Sequence, residues 1–130
     1  PRQTWVHSCC SVEKLKRALA DPNVTAIEAD IVMSSGAGGK HAAGVPVMAH
    51  PPRKSSDLVF SQFMDLVVAD GSRHIKLDFK ESAAVEPCLA LLAARAPELL
   101  ENGQVDAPSI WLPWHPYAET VRSGLASHHP

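Results

Sequence analysis

The sequence lacks an excess of basic residues and any long apolar run. Twelve Lys and Arg face fourteen Asp and Glu, which gives a net charge of −2. Because a nucleic-acid-binding module normally presents a basic face, we expect no nucleic-acid partner. No run reaches the roughly 20 apolar residues of a membrane-spanning helix, and no signal peptide is recognisable. We therefore expect no transmembrane segment in this chain.

Cysteine is also scarce and lacks the spacing of a metal site. Cys9, Cys10 and Cys88 form no CxxC pair, so no zinc site is predicted. Free cysteines usually pack as small apolar side chains, and we expect buried or idle thiols here.

The remaining composition is that of a globular domain. Of the 130 residues, 45% are hydrophobic and 20% are charged, which is enough apolar surface for one packed core. The chain begins with Pro1 rather than Met. We expect it to be one domain, or a fragment of a larger one.

Two short charged strings each follow an apolar run. They are Glu28-Ala29-Asp30 and Lys76-Leu77-Asp78-Phe79-Lys80. On a strand, residues two apart project from the same face, so the charges of each string share one face. Carboxylates in such a row are costly unless a cation or another partner uses them.

Two histidines occupy matching positions. His7 and His50 each end an apolar stretch, Thr4–Val6 and Val47–Ala49 respectively. Together with the charged strings they predict one active site at four strand ends. The alternatives are a solvated edge, a structural ion pair of the carboxylates with Lys76 or Lys80, and two structural histidines.

Alternating strand and helix patterns run through most of the chain. Ser11 is a candidate N-cap for the first helix, with Lys14 where a capping box would carry Glu. Ser56 and Asp57 are candidate caps for the second helix. The third helix is predicted over Ala83–Ala94, and the predicted strands are Thr4–His7, Thr25–Val32, Val45–Ala49, Ile75–Phe79 and Ser109–Leu112.

This alternation predicts an α/β fold with a parallel sheet and helical crossovers. The candidate residues all follow strand ends, where (β/α) barrels place their sites. We therefore predict a TIM-barrel type of fold, of which this chain supplies only the N-terminal four to five β/α units.

Four segments in this order resemble the menorin-like family. They are Trp5–Ser8, Ile27–Asp30, Val47–Pro52 and Ile75–Lys80, and the resemblance runs from about Thr4 to Leu112. Menorin-like domains are in turn similar to the phospholipase-C-like barrels, which include glycerophosphodiester phosphodiesterases and sphingomyelinase D. We expect residues 1–112 to be the N-terminal part of such a barrel and residues 113–130 to be a divergent tail.

The resemblance implies a role for each site residue. His7 and His50 would be the catalytic pair, and Lys80 would contact the substrate phosphate. Lys76 would either reach the substrate too or pair with Glu28. A divalent cation, Mg²⁺ or Ca²⁺, would be bound by the three carboxylates Glu28, Asp30 and Asp78.

Two functions follow from this resemblance. The first is a metal-dependent phosphodiesterase that acts on a phospholipid or a glycerophosphodiester. The second is a non-catalytic interaction module that keeps a vestigial site, since fold alone does not fix function. A partial barrel also has unpaired sheet edges, so we expect possible protein partners or self-association.

Overall fold

The computed structural model describes residues 3–36, 41–105 and 110–111. Five strands and three helices are present in these ranges. In chain order they are β1 Trp5–Val6, α1 Val12–Ala20, β2 Ala26–Met33, β3 Pro46–Met48, α2 Phe60–Asp70, β4 His74–Phe79, α3 Val85–Glu101 and β5 Ile110–Trp111, with a short 3-10 helix, Ser82–Ala84, before α3.

Four of the strands form a parallel sheet in sequential order. β2 pairs with β1 on one side and with β4 on the other, and β4 pairs with β5. Each neighbouring pair is joined through a helix, because parallel strands need a long connection. The expected α/β alternation is confirmed for these four strands.

The third strand contradicts the expectation of a purely parallel sheet. β3 runs antiparallel to the end of β2, with Ile31 opposite Met48 and Met33 opposite Pro46. The segment between β2 and β3 contains no helix in its described part. It therefore returns the chain as a hairpin, and β3 belongs to an elaborated β2–α2 connection.

The first two helices differ in how they begin. Ser11 caps α1 as predicted, since its side chain accepts a hydrogen bond from the Lys14 backbone N–H. The predicted caps of α2 are wrong: α2 begins at Phe60, with Val59 at the N-cap position. Asp57 instead accepts the Val12 N–H at the start of α1, at 3.1 Å.

The helices cover only one face of the sheet. Ile27, Ala29 and Ile31 of β2 lie in a buried cluster with residues of all three helices, including Leu15, Phe63 and Leu92. Because side chains alternate along a strand, Glu28 and Asp30 project from the opposite face. α3 continues through Pro97 to Glu101, beyond its predicted end, and buries Ala96 and Leu99 in this cluster.

Among the described residues, no helix is long and apolar enough to cross a membrane. The predicted tail, residues 113–130, lies outside the described residues, as do Ser109 and Leu112 of the predicted fifth strand.

Candidate functional site

The two charged strings are neighbours in the sheet. The register of β2 and β4 places Glu28 beside Lys76 and Asp30 beside Asp78. Their side chains lie on the face that the helices leave uncovered. The geometry therefore joins two strings that are about fifty residues apart in the sequence into one row of charges.

Lys80 links the two buried carboxylates. Its Nζ lies 2.7 Å from Asp78 Oδ2 and 3.7 Å from Asp30 Oδ1. Burial, and secondarily the charge of Glu28, raises the pKa of Asp30, whereas Lys80 opposes this shift. The hydrogen bond to Asp78 raises the pKa of Lys80. The ion pair that was considered as an alternative to a catalytic role is thus formed by Lys80.

One carboxylate oxygen in this row has no partner. Asp78 Oδ1 is buried and makes no hydrogen bond with any described residue, and Asp78 as a whole is only 8% exposed. Buried polar atoms are normally hydrogen-bonded. An unsatisfied anionic oxygen at this position fits a site that receives a cation or a polar ligand.

The three carboxylates have the chemistry of a hard-cation site, since Mg²⁺ and Ca²⁺ prefer oxygen ligands. Within the described residues, however, no three His, Cys, Asp or Glu side chains are arranged as a group that could hold a metal ion. Lys80 stands between Asp30 and Asp78, so a cation bound there would have to displace its ammonium group.

Ser8 connects the β1–α1 loop to both carboxylates of β2. Its backbone N–H donates to Glu28 Oε1 at 3.1 Å, and its hydroxyl donates to Asp30 Oδ2 at 3.3 Å. Ser8 has a φ of 51°, in the left-handed region that side chains other than Gly rarely adopt. Backbone strain of this kind is concentrated at functional sites. The sequence analysis missed Ser8, although it directly follows His7.

Lys14 holds this strained loop from the first turn of α1. Its Nζ donates to the carbonyl oxygens of His7 at 2.6 Å and Ser8 at 3.0 Å. The absence of Glu at this capping-box position was visible in the sequence, and the structure explains it. A glutamate cannot donate hydrogen bonds to carbonyl oxygens, whereas a lysine can.

His7 lies next to Glu28 at the edge of this row. Its Nδ1 is 3.6 Å from Glu28 Oε2, and 70% of its side chain is exposed. Its ring stacks on Trp5 with a centroid distance of 6.0 Å. Trp5 thus supports the histidine ring.

His50 follows β3, the antiparallel strand, and lies at the same end of the sheet as the carboxylates. β3 ends beside Asp30, and the Ala49 N–H donates to the Asp30 carbonyl at 3.0 Å. His50 Nδ1 lies 2.7 Å from the Pro51 carbonyl oxygen. Because a carbonyl only accepts, Nδ1 carries the proton, and in the neutral ring Nε2 is the acceptor.

Lys76 is half-buried beside Glu28 but forms no ion pair or hydrogen bond with the described residues. Glu28 instead contacts Ser8 and His7. The predicted alternative of a Lys76–Glu28 pair is therefore not formed.

A cleft of about 580 Å³ opens beside these residues. Its lining includes Ser8 and Cys10 of the β1–α1 loop, and His50, Arg53, Ser55 and Asp57 of the loop between β3 and α2. This loop is tied to the β1–α1 loop, since Ser56 Oγ donates to the Cys10 carbonyl at 2.9 Å.

The cysteines agree with the expectation of idle thiols. Burial raises the pKa of Cys9 and Cys88 to about 12 and that of Cys10 to about 11. The thiolate, which is the reactive form, is therefore scarce at neutral pH. Cys10 Sγ nevertheless lies 4.0 Å from Asp30 Oδ2, at the edge of the cleft.

Comparison with known proteins places this arrangement in a family. A family profile described as the Menorin N-terminal domain matches residues 2–112. The chain belongs to the menorin N-terminal domain family. The resemblance found in the sequence is thus confirmed at the level of this family.

This menorin N-terminal domain is also similar to the human protein "Protein FAM151B". The two are 37% identical over 89 residues, which is 68% of this chain. The aligned part is 30% of the length of that relative, so the chain spans less than a third of it. No solved structure matches the chain.

Proposed function

We propose that this menorin N-terminal domain supplies the phosphate-binding and acid–base half of a phosphodiesterase-like site. The observation that carries this proposal is the row formed by Glu28, Asp30, Asp78 and Lys80, in which Asp78 Oδ1 is buried and makes no hydrogen bond with the residues that the structure describes. The two exposed histidines, His7 and His50, flank this row at the same end of the sheet.

The fold that we propose for the full protein is a (β/α) barrel of the phospholipase-C-like type. Three features support it. The four parallel strands follow one another in sequential order, the helices cover one face only, and the charged residues cluster towards the carboxyl ends of β2 and β4. A closed barrel has these features, because its helices form an outer ring and its site lies at the carboxyl ends of the strands.

The histidines can divide the proton transfers between them. His50 carries its proton on Nδ1, so its Nε2 can accept a proton from water or from a substrate hydroxyl that attacks phosphorus. His7 lies beside the Glu28 carboxylate, which can stabilise an imidazolium that donates a proton to the leaving alcohol.

The charged row would bind the phosphate. Lys80, and Lys76 four residues earlier in the chain, can each place an ammonium group against phosphate oxygens. A divalent cation, Mg²⁺ or Ca²⁺, held by Glu28, Asp30 and Asp78 would offset the charge of a non-bridging oxygen. The substrate class is a glycerophosphodiester or a phospholipid.

Alanine substitution of each histidine tests the proposal in the full-length protein. His7→Ala and His50→Ala should each lower phosphodiester cleavage by about 10²-fold or more, the usual scale for loss of a general acid or base. Both side chains are exposed, so the fold should be retained. His41→Ala, which removes a histidine from the segment between β2 and β3 and lies outside the lining of the cleft, is the matched control. Unchanged turnover in either variant would remove that histidine from the mechanism.

The alternative function is a non-catalytic interaction module. The observation that favours it is Lys80, which already pairs with Asp30 and Asp78 as an internal cation would. If the wild-type protein binds no phosphodiester and cleaves none in the presence of Mg²⁺ or Ca²⁺, the interaction module is the better reading.

A further inference from the structure

The cleft beside the site is lined in part by polar residues that the catalytic proposal does not use. Arg53 lies three residues after His50, is exposed, and lines the cleft. Its guanidinium group makes no hydrogen bond or ion pair with the residues that the structure describes, in contrast to Arg17, Arg73 and Arg95. Next to it, the hydroxyl of Ser55 also lacks a described partner. A guanidinium group and a hydroxyl together suit a carboxylate or a phosphate.

The position of Arg53 is fixed by the loop around it. The Arg53 N–H donates to the His50 carbonyl at 3.0 Å, which makes a tight turn directly after the histidine. Ser56 then anchors the loop, since its hydroxyl accepts the Leu58 N–H and donates to the Cys10 carbonyl. Arg53 thus lies in a loop that is bonded to the β1–α1 loop, and it lines the same cleft as Ser8 and Cys10.

Asp57 is the one carboxylate among the described residues that line the cleft, and it does not cancel the positive charge of Arg53. Asp57 Oδ1 accepts the Val12 N–H at 3.1 Å, at the first residue of α1. The amino end of a helix stabilises negative charge, so the helix compensates this carboxylate in part. The guanidinium group of Arg53, which pairs with none of the described residues, therefore leaves one positive charge in the cleft available to an anion.

The lining also bears on the kind of molecule that fits. Among the described residues of the cleft, the apolar ones are Ala49, Pro51 and Pro52. Sites for apolar ligands are lined predominantly by large hydrophobic and aromatic side chains. No Leu, Ile, Val, Met, Phe, Tyr or Trp is among the described residues that line the cleft, so the cleft suits a polar group better than an acyl chain.

We infer that the cleft binds a second anionic group, on the alcohol portion of a small water-soluble phosphodiester, and that Arg53 contacts this group. The inference rests on the proposed function, because the cleft adjoins the proposed phosphate site. It narrows the substrate class to soluble phosphodiesters that carry an additional phosphate or carboxylate.

Two probes that differ by one phosphate test the inference by equilibrium binding. They are glycerophosphoinositol and glycerophosphoinositol 4-phosphate, titrated calorimetrically into the full-length protein in a magnesium buffer. The wild type should bind the phosphorylated probe about tenfold more tightly, which corresponds to one charge-assisted contact. Arg53→Gln should remove this preference, and Arg53→Lys should restore part of it because the charge returns without the planar fork.

Lys16→Gln is the matched control, because it also removes one exposed positive charge but lies on α1 outside the cleft. It should keep the preference. Equal binding of both probes by the wild type, or a preference that survives Arg53→Gln, would overturn the inference and leave the phosphodiester site standing. Binding of neither probe would overturn the proposed function as well. Tighter binding to phosphatidylcholine vesicles containing phosphatidylinositol 4-phosphate than to the soluble probe would contradict the soluble substrate class.

Discussion

At the scale of single residues, the charge of Asp30 is only partly compensated by the fold. The side chain is 1% exposed, and its pKa is raised by burial and by the neighbouring Glu28. Because the folded state holds the proton more tightly, the free energy of unfolding should fall as the pH rises from about 3.8, the ordinary value, through the raised value.

Asp30→Asn should remove this loss of stability at neutral pH, because the amide cannot ionise. Its oxygen can still accept the hydrogen bond from the Ser8 hydroxyl. We expect a free energy of unfolding at pH 7, without divalent cations, that is equal to that of the wild type or higher. The gain should vanish at acid pH. Denaturant titrations at several pH values measure this. Asp65→Asn, at an exposed carboxylate, should show no comparable gain, and a lower stability of Asp30→Asn at pH 7 would contradict the account.

At the scale of elements, the first turn of α1 positions the strand-end loop before it. Lys14→Met keeps the alkyl chain but removes both hydrogen bonds to the carbonyls of His7 and Ser8. We expect α1 to persist, since Ser11 still caps it, while the Ser8 amide loses part of its protection. The Ser8 N–H signal should shift in a ¹⁵N-correlated spectrum and exchange faster with solvent.

Lys16→Met is the control for this change, because it removes an exposed lysine of the same helix that bonds to none of the described residues. Its Ser8 signal should match the wild type. An unaltered Ser8 signal in Lys14→Met would show that the left-handed loop conformation does not depend on Lys14.

The sequence predicted some elements better than others for physical reasons. β2 and β4 were predictable because their apolar residues alternate with charges, and this alternation is a local property of a half-buried strand. The direction of β3 depends on its partner strand, which no local pattern encodes. One clue to this direction was the Gly- and Ser-containing segment after Ser34. It has no helical pattern, whereas a connection between parallel strands usually contains a helix.

The site was predictable in part. Its carboxylates, histidines and Lys80 follow strand ends, and strand ends meet at one edge of a parallel sheet. Ser8, Lys14 and Arg53 escaped prediction because their roles depend on hydrogen bonds and clefts that form only in the tertiary structure. The end of α3 was placed too early because the burial of Ala96 and Leu99 outweighs the helix-breaking tendency of Pro97.

At the scale of the whole molecule, the carboxylates on the sheet face opposite the described helices predict a response to divalent cations. If Glu28, Asp30 and Asp78 take up Mg²⁺ or Ca²⁺, binding to the folded state alone should stabilise it by about 2.7 kcal/mol at a hundredfold excess over Kd. Thermal unfolding should then shift upward by several degrees. Asp78→Asn should abolish the shift, since it replaces one of the proposed ligands.

The same cation concentrations applied to Asp65→Asn provide the control, because Asp65 lies on α2, away from the row. Its melting temperature should rise as in the wild type. A wild-type transition that is indifferent to both cations would argue against a metal site and in favour of the interaction module.

Because β3 leaves the parallel sheet, the proposed site residues lie on two separate parts of the molecule. The strands that bear the carboxylates run without interruption, whereas His50 and Arg53 lie on a stretch that leaves at the end of β2 and returns at the start of α2. This stretch is bonded to the rest of the molecule by the Ala49 N–H, which donates to the Asp30 carbonyl, and by the Ser56 hydroxyl, which donates to the Cys10 carbonyl. This stretch could therefore be exchanged as a unit. The exchange would alter ligand preference and leave the parallel sheet and its helices unchanged, as loops on barrel folds allow.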